Sequence, residues 1–427
     1  VVVTGLGAIT PIGLDVASAW QACLEGRTGT RALDHPWLDR EAFRTHVGSP
    51  VVGFDLTERG FPARDLKTLD KACWYALAAT KEAFESARLD LLPADREGSW
   101  RVEGIDADRC VTVVSSGVGG LSAFEAAHGH WVRHGNFRGS AWLRMSLPML
   151  IPNAPTANVA IRFGLRGECK ALPTACAAGA MSIGDAFRLI RGGEADVAAC
   201  GGTDAVLTDH DGLGLMGFDV LKVMSARNED PAHASRPFDR DRDGFVLGEG
   251  AAVLVLEEEA HARARGAPIL AEVLGYATTC DAHDMMQPDP SGRMVQRAFE
   301  LALRDAGVSP ADVEHVNAHA TATPAGDRVE ASVLRRVFGT GGGAPLVCAT
   351  KSLTGHCIGA SGAIEAMATV LALRDGVVHA TQNLEHVEPE CELNHVVGGP
   401  ARAALRVAAS SSLGFGGHDA VLVFAKA

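Results

Sequence analysis

Short β-branched apolar runs alternate along this chain with longer windows in which apolar residues recur every three or four positions. This alternation predicts an α/β protein. Runs at 1–4, 110–114, 196–199, 251–256, 271–274, 315–318, 347–350, 405–409 and 420–424 have the length and composition of strands. Three windows carry clear helical faces. The first covers about 70–87, with Cys73, Leu77 and Phe84 on one side. The second follows Cys176, puts Ile183, Phe187 and Ile190 on one stripe, and stops at Gly192-Gly193. The third holds Ile364, Met367 and Leu371 and ends before Gly376. A charged, helical segment at 257–268 separates two halves. Each half closes on a similar strand, 251–256 and 419–424, and glycines precede both: Gly248/Gly250 and Gly416/Gly417. Such a match hints at an internal duplication.

With 427 residues the chain can bury a substantial core and form two or three domain-sized units. The longest apolar runs, such as 251–256, are strand-sized, so no membrane span is expected. A net charge of −13 argues against a nucleic-acid surface, which needs a basic excess. It leaves open an acidic protein partner docked on a local basic patch. The ten cysteines include no Cys-x-x-Cys pair and no Cys/His spacing suited to zinc. Most read as small buried hydrophobes in a reducing cytoplasm. No basic residues ahead of an apolar stretch mark a secretory leader, so a cytoplasmic location is expected.

One cysteine stands apart. Cys176 ends a strand-like run, Leu172-Pro-Thr-Ala-Cys, where a helix begins among Ala177, Ala178 and Gly179. At a helix N-terminus the macrodipole and free N–H groups favour thiolate over thiol. A nucleophile elbow and a buried structural cysteine both fit this segment. His319 and His356 shift that balance. His319 falls where the apolar run 315–318 enters a Pro- and Gly-bearing loop, and His356 follows Thr350-Lys-Ser-Leu-Thr-Gly before another small-residue helix. Ligands of open α/β sheets sit at such strand ends. A thiolate can attack a thioester, and two imidazoles can donate hydrogen bonds to an enolate formed by decarboxylation. A fourth segment, Gly414-Phe-Gly-Gly-His-Asp, could be an ordinary hairpin loop or could turn backbone N–H groups into a site. Gly5-Leu-Gly7 suggests a dinucleotide fingerprint, but Thr10 stands where its third glycine belongs, and that reading fails.

Taken together these segments resemble the β-ketoacyl-acyl carrier protein synthases, in the elongating branch with a Cys-His-His centre, a group that includes type II polyketide ketosynthases. The similarity runs from Val2-Val-Thr-Gly-Leu-Gly, through Ser235-Arg-Pro-Phe-Asp-Arg-Asp-Arg-Asp-Gly-Phe, to Gly414-Phe-Gly-Gly. It implies a duplicated thiolase-like fold in five layers, α-β-α-β-α, usually as a two-fold dimer. The nucleophile half would span 1–262 and the half with both histidines 263–427. Cys176 then matches the acyl-accepting nucleophile, and His319 and His356 the pair that binds the malonyl thioester and supports loss of carbon dioxide. The N–H groups of Cys176 and Phe415 match the oxyanion hole, with Phe415 also a gating side chain beside Gly416. Thr321 and Thr323 match contacts to the phosphopantetheine arm. Val118 matches a position at the end of the acyl pocket. Lys351 matches a family lysine, with Glu330 expected as its ion-pair partner, organising the two histidine loops. Arg64, Lys67 and Lys222 lie near positions where relatives offer basic residues to an acidic carrier protein. No tightly bound cofactor is expected, since substrates arrive on the carrier's phosphopantetheine arm.

The resemblance leaves the pathway open between fatty-acid and polyketide or polyene assembly. Ala320 stands where glycine often follows the first histidine, and His418 where Thr or Asn is usual. A non-catalytic chain-length factor in a ketosynthase heterodimer is the alternative, but such partners typically lack the nucleophile. A priming synthase would carry Asn at the His356 position, and a thiolase a second catalytic Cys within 410–419; this chain has neither.

Overall fold

A computed structural model of the chain describes residues 1–39, 41–136, 138 and 141–427. Its frame is a nine-strand ladder. The strands are β1 (Val2–Ile9), β2 (Cys110–Ser115), β3 (Val197–Asp204), β4 (Gly250–Glu257), β5 (Ala271–Cys280), β6 (His315–Asn317), β7 (Leu346–Cys348), β8 (Val407–Gly414) and β9 (His418–Lys426). They lie in the order β7-β6-β8-β9-β5-β1-β4-β3-β2. Only two residue pairs, Val2–Glu272 and Val3–Ala271, join β1 to β5, so the ladder is two half-sheets meeting at an edge.

The half-sheets repeat one topology. In the first, β1 is antiparallel to β4, β4 to β3, and β3 is parallel to β2. A parallel bridge from Thr112 to Cys169 adds a fifth, short strand. In the second, β5 is antiparallel to β9, β9 to β8, and β8 is parallel to β6, which is parallel to β7. Side chains of β4 alternate as a strand's must. Ala252, Leu254 and Leu256 enter the core between the half-sheets, while Ala251, Val253 and Val255 face an outer core. On β9, Ala420, Leu422 and Phe424 enter the same middle core, and Val421 and Val423 the opposite outer one. Burial on both faces is why these strands read as unbroken apolar runs.

The helices α1 (Lys71–Ser86) and α2 (Ala154–Phe163) cover the first half-sheet, and α4 (Arg293–Ala306) and α5 (Pro324–Phe338) the second. Between the half-sheets lie α3 (Ala178–Arg191) and α6 (Ser361–Asp375), each touching strands of both. This is the five-layered thiolase-like arrangement. The Asp70 carboxylate caps α1 by accepting the Ala72 N–H.

Two strands outrun their sequence signals. Strand β3 continues through Gly201-Gly202 because a Cβ at Gly202 would lie 2.1 Å from the Gly359 carbonyl, on the loop after His356. Strand β8 continues through three buried serines, so 410–419 is a strand pair closed by a tight turn. Gly5 and Gly7 are packing residues. A Cβ at either would stand 2.1 or 1.8 Å from the carbonyls of Ala83 or Ala79, so glycine lets α1 lie against β1.

Candidate active site

Three chain segments meet at the ends of α3 and α6. Cys176 sits in a 3₁₀ turn, Ala175–Ala177, that feeds directly into α3. Ala175 just before it has φ +49°, a left-handed conformation that costs an alanine about 1–2 kcal/mol. The same strain recurs at Ala320 (φ +30°), Ala322 (φ +68°) and Ile358 (φ +47°), beside the two histidines. The backbone is held off its preferred conformations wherever the three groups converge. Asp204, at the end of β3, helps hold it: its Oδ2 accepts the N–H of Gly117 at 2.9 Å and of Gly359 at 2.6 Å.

The Sγ of Cys176 lies 3.0 Å from Nε2 of His356, and the two imidazole rings stand perpendicular with centroids 5.5 Å apart. Nδ1 of His356 is 3.0 Å from the Ser361 hydroxyl, on the first residue of α6. Nδ1 of His319 is 3.2 Å from Nζ of Lys351. An ammonium only donates, so Nδ1 accepts and the His319 proton resides on Nε2, the nitrogen free to serve the site.

The expected Lys351–Glu330 ion pair does not form. Lys351 pairs instead with Glu365 of α6, both side chains being almost fully buried. Glu330 on α5 accepts the N–H groups of His319 and Ala320 at 2.8 and 2.7 Å and the Ser411 hydroxyl at 2.7 Å. It thus fixes the His319 loop directly, while Lys351 and Glu365 fix the ring.

Burial sets the protonation states. It pushes the Cys176 thiol up to about 11, with Lys351 and the N–H groups of Phe415 and Cys176 pulling it down and Asp204 pushing it up. The helix-terminus argument for a resting thiolate is therefore outweighed by desolvation. His319 is held well below its ordinary value by burial, then Lys351, then His356; His356 likewise by burial, then Lys351. Both imidazoles are neutral at pH 7. Burial raises Glu365 to about 7 against the pull of Lys351.

These groups open onto a cavity of about 360 Å³. Thr321 and Thr323, with hydroxyls 3.0 Å apart, line it together with Phe415, Gly416 and Lys222. Val118 does not line it. It packs in the cluster with Phe218, Phe245 and Ile358, which do. Arg64 and Lys67 are exposed and lie off the cavity, with Arg64 paired to Glu97 at 3.6 Å. Glu365 and Ser361 join the site only through packing, with no motif of their own in the sequence. The one available signal for Glu365 was a lone carboxylate inside a helix of apolar and small residues.

Residues 1–262 match the beta-ketoacyl synthase N-terminal domain, and residues 270–385 its C-terminal domain. The chain belongs to the beta-ketoacyl synthase family. It is 42% identical to the 3-oxoacyl-[acyl-carrier-protein] synthase 2 of Synechocystis sp., over 100% of this chain and 98% of that protein. Among solved structures, a beta-ketoacyl synthase from Burkholderia phymatum superposes with TM-score 0.87 at 31% identity, covering 100% of this chain and 99% of that one. The ishigamide ketosynthase/chain length factor superposes with TM-score 0.86 at 31% identity, covering 100% and 98%. Among the described residues no cluster of three or more His, Cys, Asp or Glu is arranged to hold a metal, and no helix is long and apolar enough to cross a membrane.

Proposed function

We propose that this synthase condenses an acyl group held on Cys176 with a malonyl unit on acyl carrier protein, releasing carbon dioxide and giving a β-ketoacyl-carrier. The observation that carries the reading is the 3.0 Å contact of Cys176 with neutral His356, beside a His319 whose tautomer Lys351 fixes. In the first half-reaction Cys176 attacks the incoming thioester. Its proton passes to His356 Nε2 and from there to the departing thiol of the phosphopantetheine arm. In the second, the malonyl thioester carbonyl accepts the His319 Nε2–H. The carboxylate leaves as carbon dioxide, and the resulting enolate carbon attacks the acyl-Cys176 carbonyl. The N–H groups of Cys176 and Phe415 receive the oxyanion before the thiolate departs. A neutral imidazole suits this work, because a charged one would bind the malonyl carboxylate and oppose its loss.

The Ser361 hydroxyl can donate or accept, so His356 can carry its proton on either nitrogen. Thr321 and Thr323 contact the arm, and Lys222 receives the acidic carrier at the cavity mouth. Arg64 and Lys67, both exposed, offer the acidic carrier further basic side chains on the surface. Ile358 and Phe218, with Val118 behind them, limit acyl length. The synthase pairs with a second copy or with a homologous subunit, and works in the cytoplasm, where its ten free thiols stay reduced.

Intact-protein mass after incubation with acyl-carrier tests the nucleophile: the adduct forms on the wild type and is absent from Cys176→Ala. An adduct persisting on that variant would overturn the assignment. A panel of acyl-carriers, with and without any co-purifying homologue, then reads chain length, pathway and partner.

A further inference from the structure

The turn that carries Phe415 is laced to the segment after β5. The Gly416 N–H donates to the Met285 carbonyl at 2.8 Å, and the Asp281 N–H to the Gly417 carbonyl at 2.9 Å. Asp419 stands opposite Thr279 in the β5–β9 ladder. Asp281, two residues on, stands opposite Gly417, so Asp281 and Asp419 are diagonal neighbours on one face. Gly417 leaves the space between them open: a Cβ there would lie 2.8 Å from that of Asp281. Both carboxyls line the cavity. Asp419 is 2% exposed, and its Oδ2 accepts the Thr279 hydroxyl at 3.0 Å. Asp281 accepts the Asp289 N–H through Oδ2, while its Oδ1 is buried without a partner. The groups that act on them are Thr279 on β5 and, beyond it, His283 and Asp289, while Cys280 and His418 occupy the alternate face of the ladder. None of the described cations forms an ion pair with either carboxyl.

An unpartnered buried carboxylate oxygen next to a second buried carboxyl calls for a proton between them. We propose that Asp419 keeps its carboxyl proton and donates it to Oδ1 of Asp281, and that this bond positions the Gly414–Gly417 turn. It thereby holds the Phe415 N–H on the Cys176 sulfur. Burial, with the Asp281 charge adding to it, raises Asp419 to about 7, and burial raises Asp281 as well. The bond is present below that value and breaks as pH rises through it, leaving two carboxylates that repel. Asp281 and Asp419 are positioning residues, and their effect on catalysis rests on the proposed role of Phe415.

The direct test is infrared spectroscopy of the full-length protein carrying ¹³C-labelled aspartate. The difference spectrum between wild type and Asp419→Asn is expected to show a protonated-carboxyl band at about pH 6 that titrates away near 7. If the wild-type and Asp419→Asn spectra coincide in that region, no such proton exists and the inference fails, whatever the enzyme catalyses. The functional arm compares rates of Cys176 acylation. An asparagine amide can donate to Asp281 at every pH, so the ratio of wild-type to Asp419→Asn rates should fall several-fold between about pH 6 and pH 8. A ratio that stays constant while the band titrates would overturn the positioning role alone. Failure of the wild type to acylate at all would instead reject the reading of Cys176.

Discussion

Lys351 shows what a single residue can conceal. Its ammonium sits in a dry interior, tolerable only because Glu365 faces it, and it spends a second hydrogen bond on fixing the His319 tautomer. Removing the anion strands a buried cation. Glu365→Ala is expected to cost about 3–5 kcal/mol in denaturant unfolding, and Glu365→Gln less, since the amide oxygen still accepts from Nζ. In both variants malonyl decarboxylation should slow more than Cys176 acylation, because His319 serves only the former. Equal slowing of both would place Glu365 in general support of the site. Cys176, His319 and His356 could be picked out from the sequence because each falls where an apolar run gives way to small residues. Glu365 and Ser361 could not, because a Glu or Ser on a helix is ordinarily a solvated residue. Only packing on every side of α6 makes theirs a buried one.

That packing is a property of elements. Helix α6 is buried from Ser361 to Leu373, so it has no polar face, and the periodicity of Ile364, Met367 and Leu371 marks only part of what it buries. Strand positions were clear for the same reason that strand lengths were not. Val/Leu runs flanked by turns signal β-structure, whereas Gly201-Gly202 and the serines at 410–412 signal loops. Gly201-Gly202 stay in the ladder because neighbouring backbone comes too close for larger side chains, and Ser411 because its hydroxyl donates to buried Glu330. The first-strand glycines give the sharpest element-scale test. At Gly7 an added Cβ would meet the backbone carbonyl of Ala79 at 1.8 Å, and backbone cannot rotate away as a side chain can. Gly7→Ala should therefore force α1 off β1. A loss of at least about 1–3 kcal/mol is expected, read as a lower denaturation midpoint at unchanged slope. A midpoint within error of wild type would show that the layers can slide apart freely.

At the scale of the molecule, two copies of one strand-and-helix topology bury their sheets against a shared middle layer, and the chemistry gathers where the middle helices begin. Deep burial also brings ionisable groups into the core with opposite responses to pH. Carboxyls such as Asp327, raised to about 7 chiefly by burial, bind protons in the fold that the unfolded chain has lost. They favour the fold as pH falls from 7. Buried histidines do the reverse. His315, lowered to about 4 by burial and 1% exposed, stays neutral in the fold while the unfolded chain protonates below 6.5. Its contribution is complete above 6.5 and disappears as pH falls through about 4, a swing of about 3 kcal/mol. The two sets offset each other, so the wild-type stability curve should be shallow on its acid side. His315→Asn keeps a donor for the Leu346 carbonyl, which Nδ1 meets at 2.9 Å, but cannot titrate. Unfolding free energies of the variant and the wild type, measured from about pH 7 down to pH 4, should diverge in the variant's favour as pH drops. A constant difference between the two curves would mean that His315 is protonated within the fold, contrary to its burial.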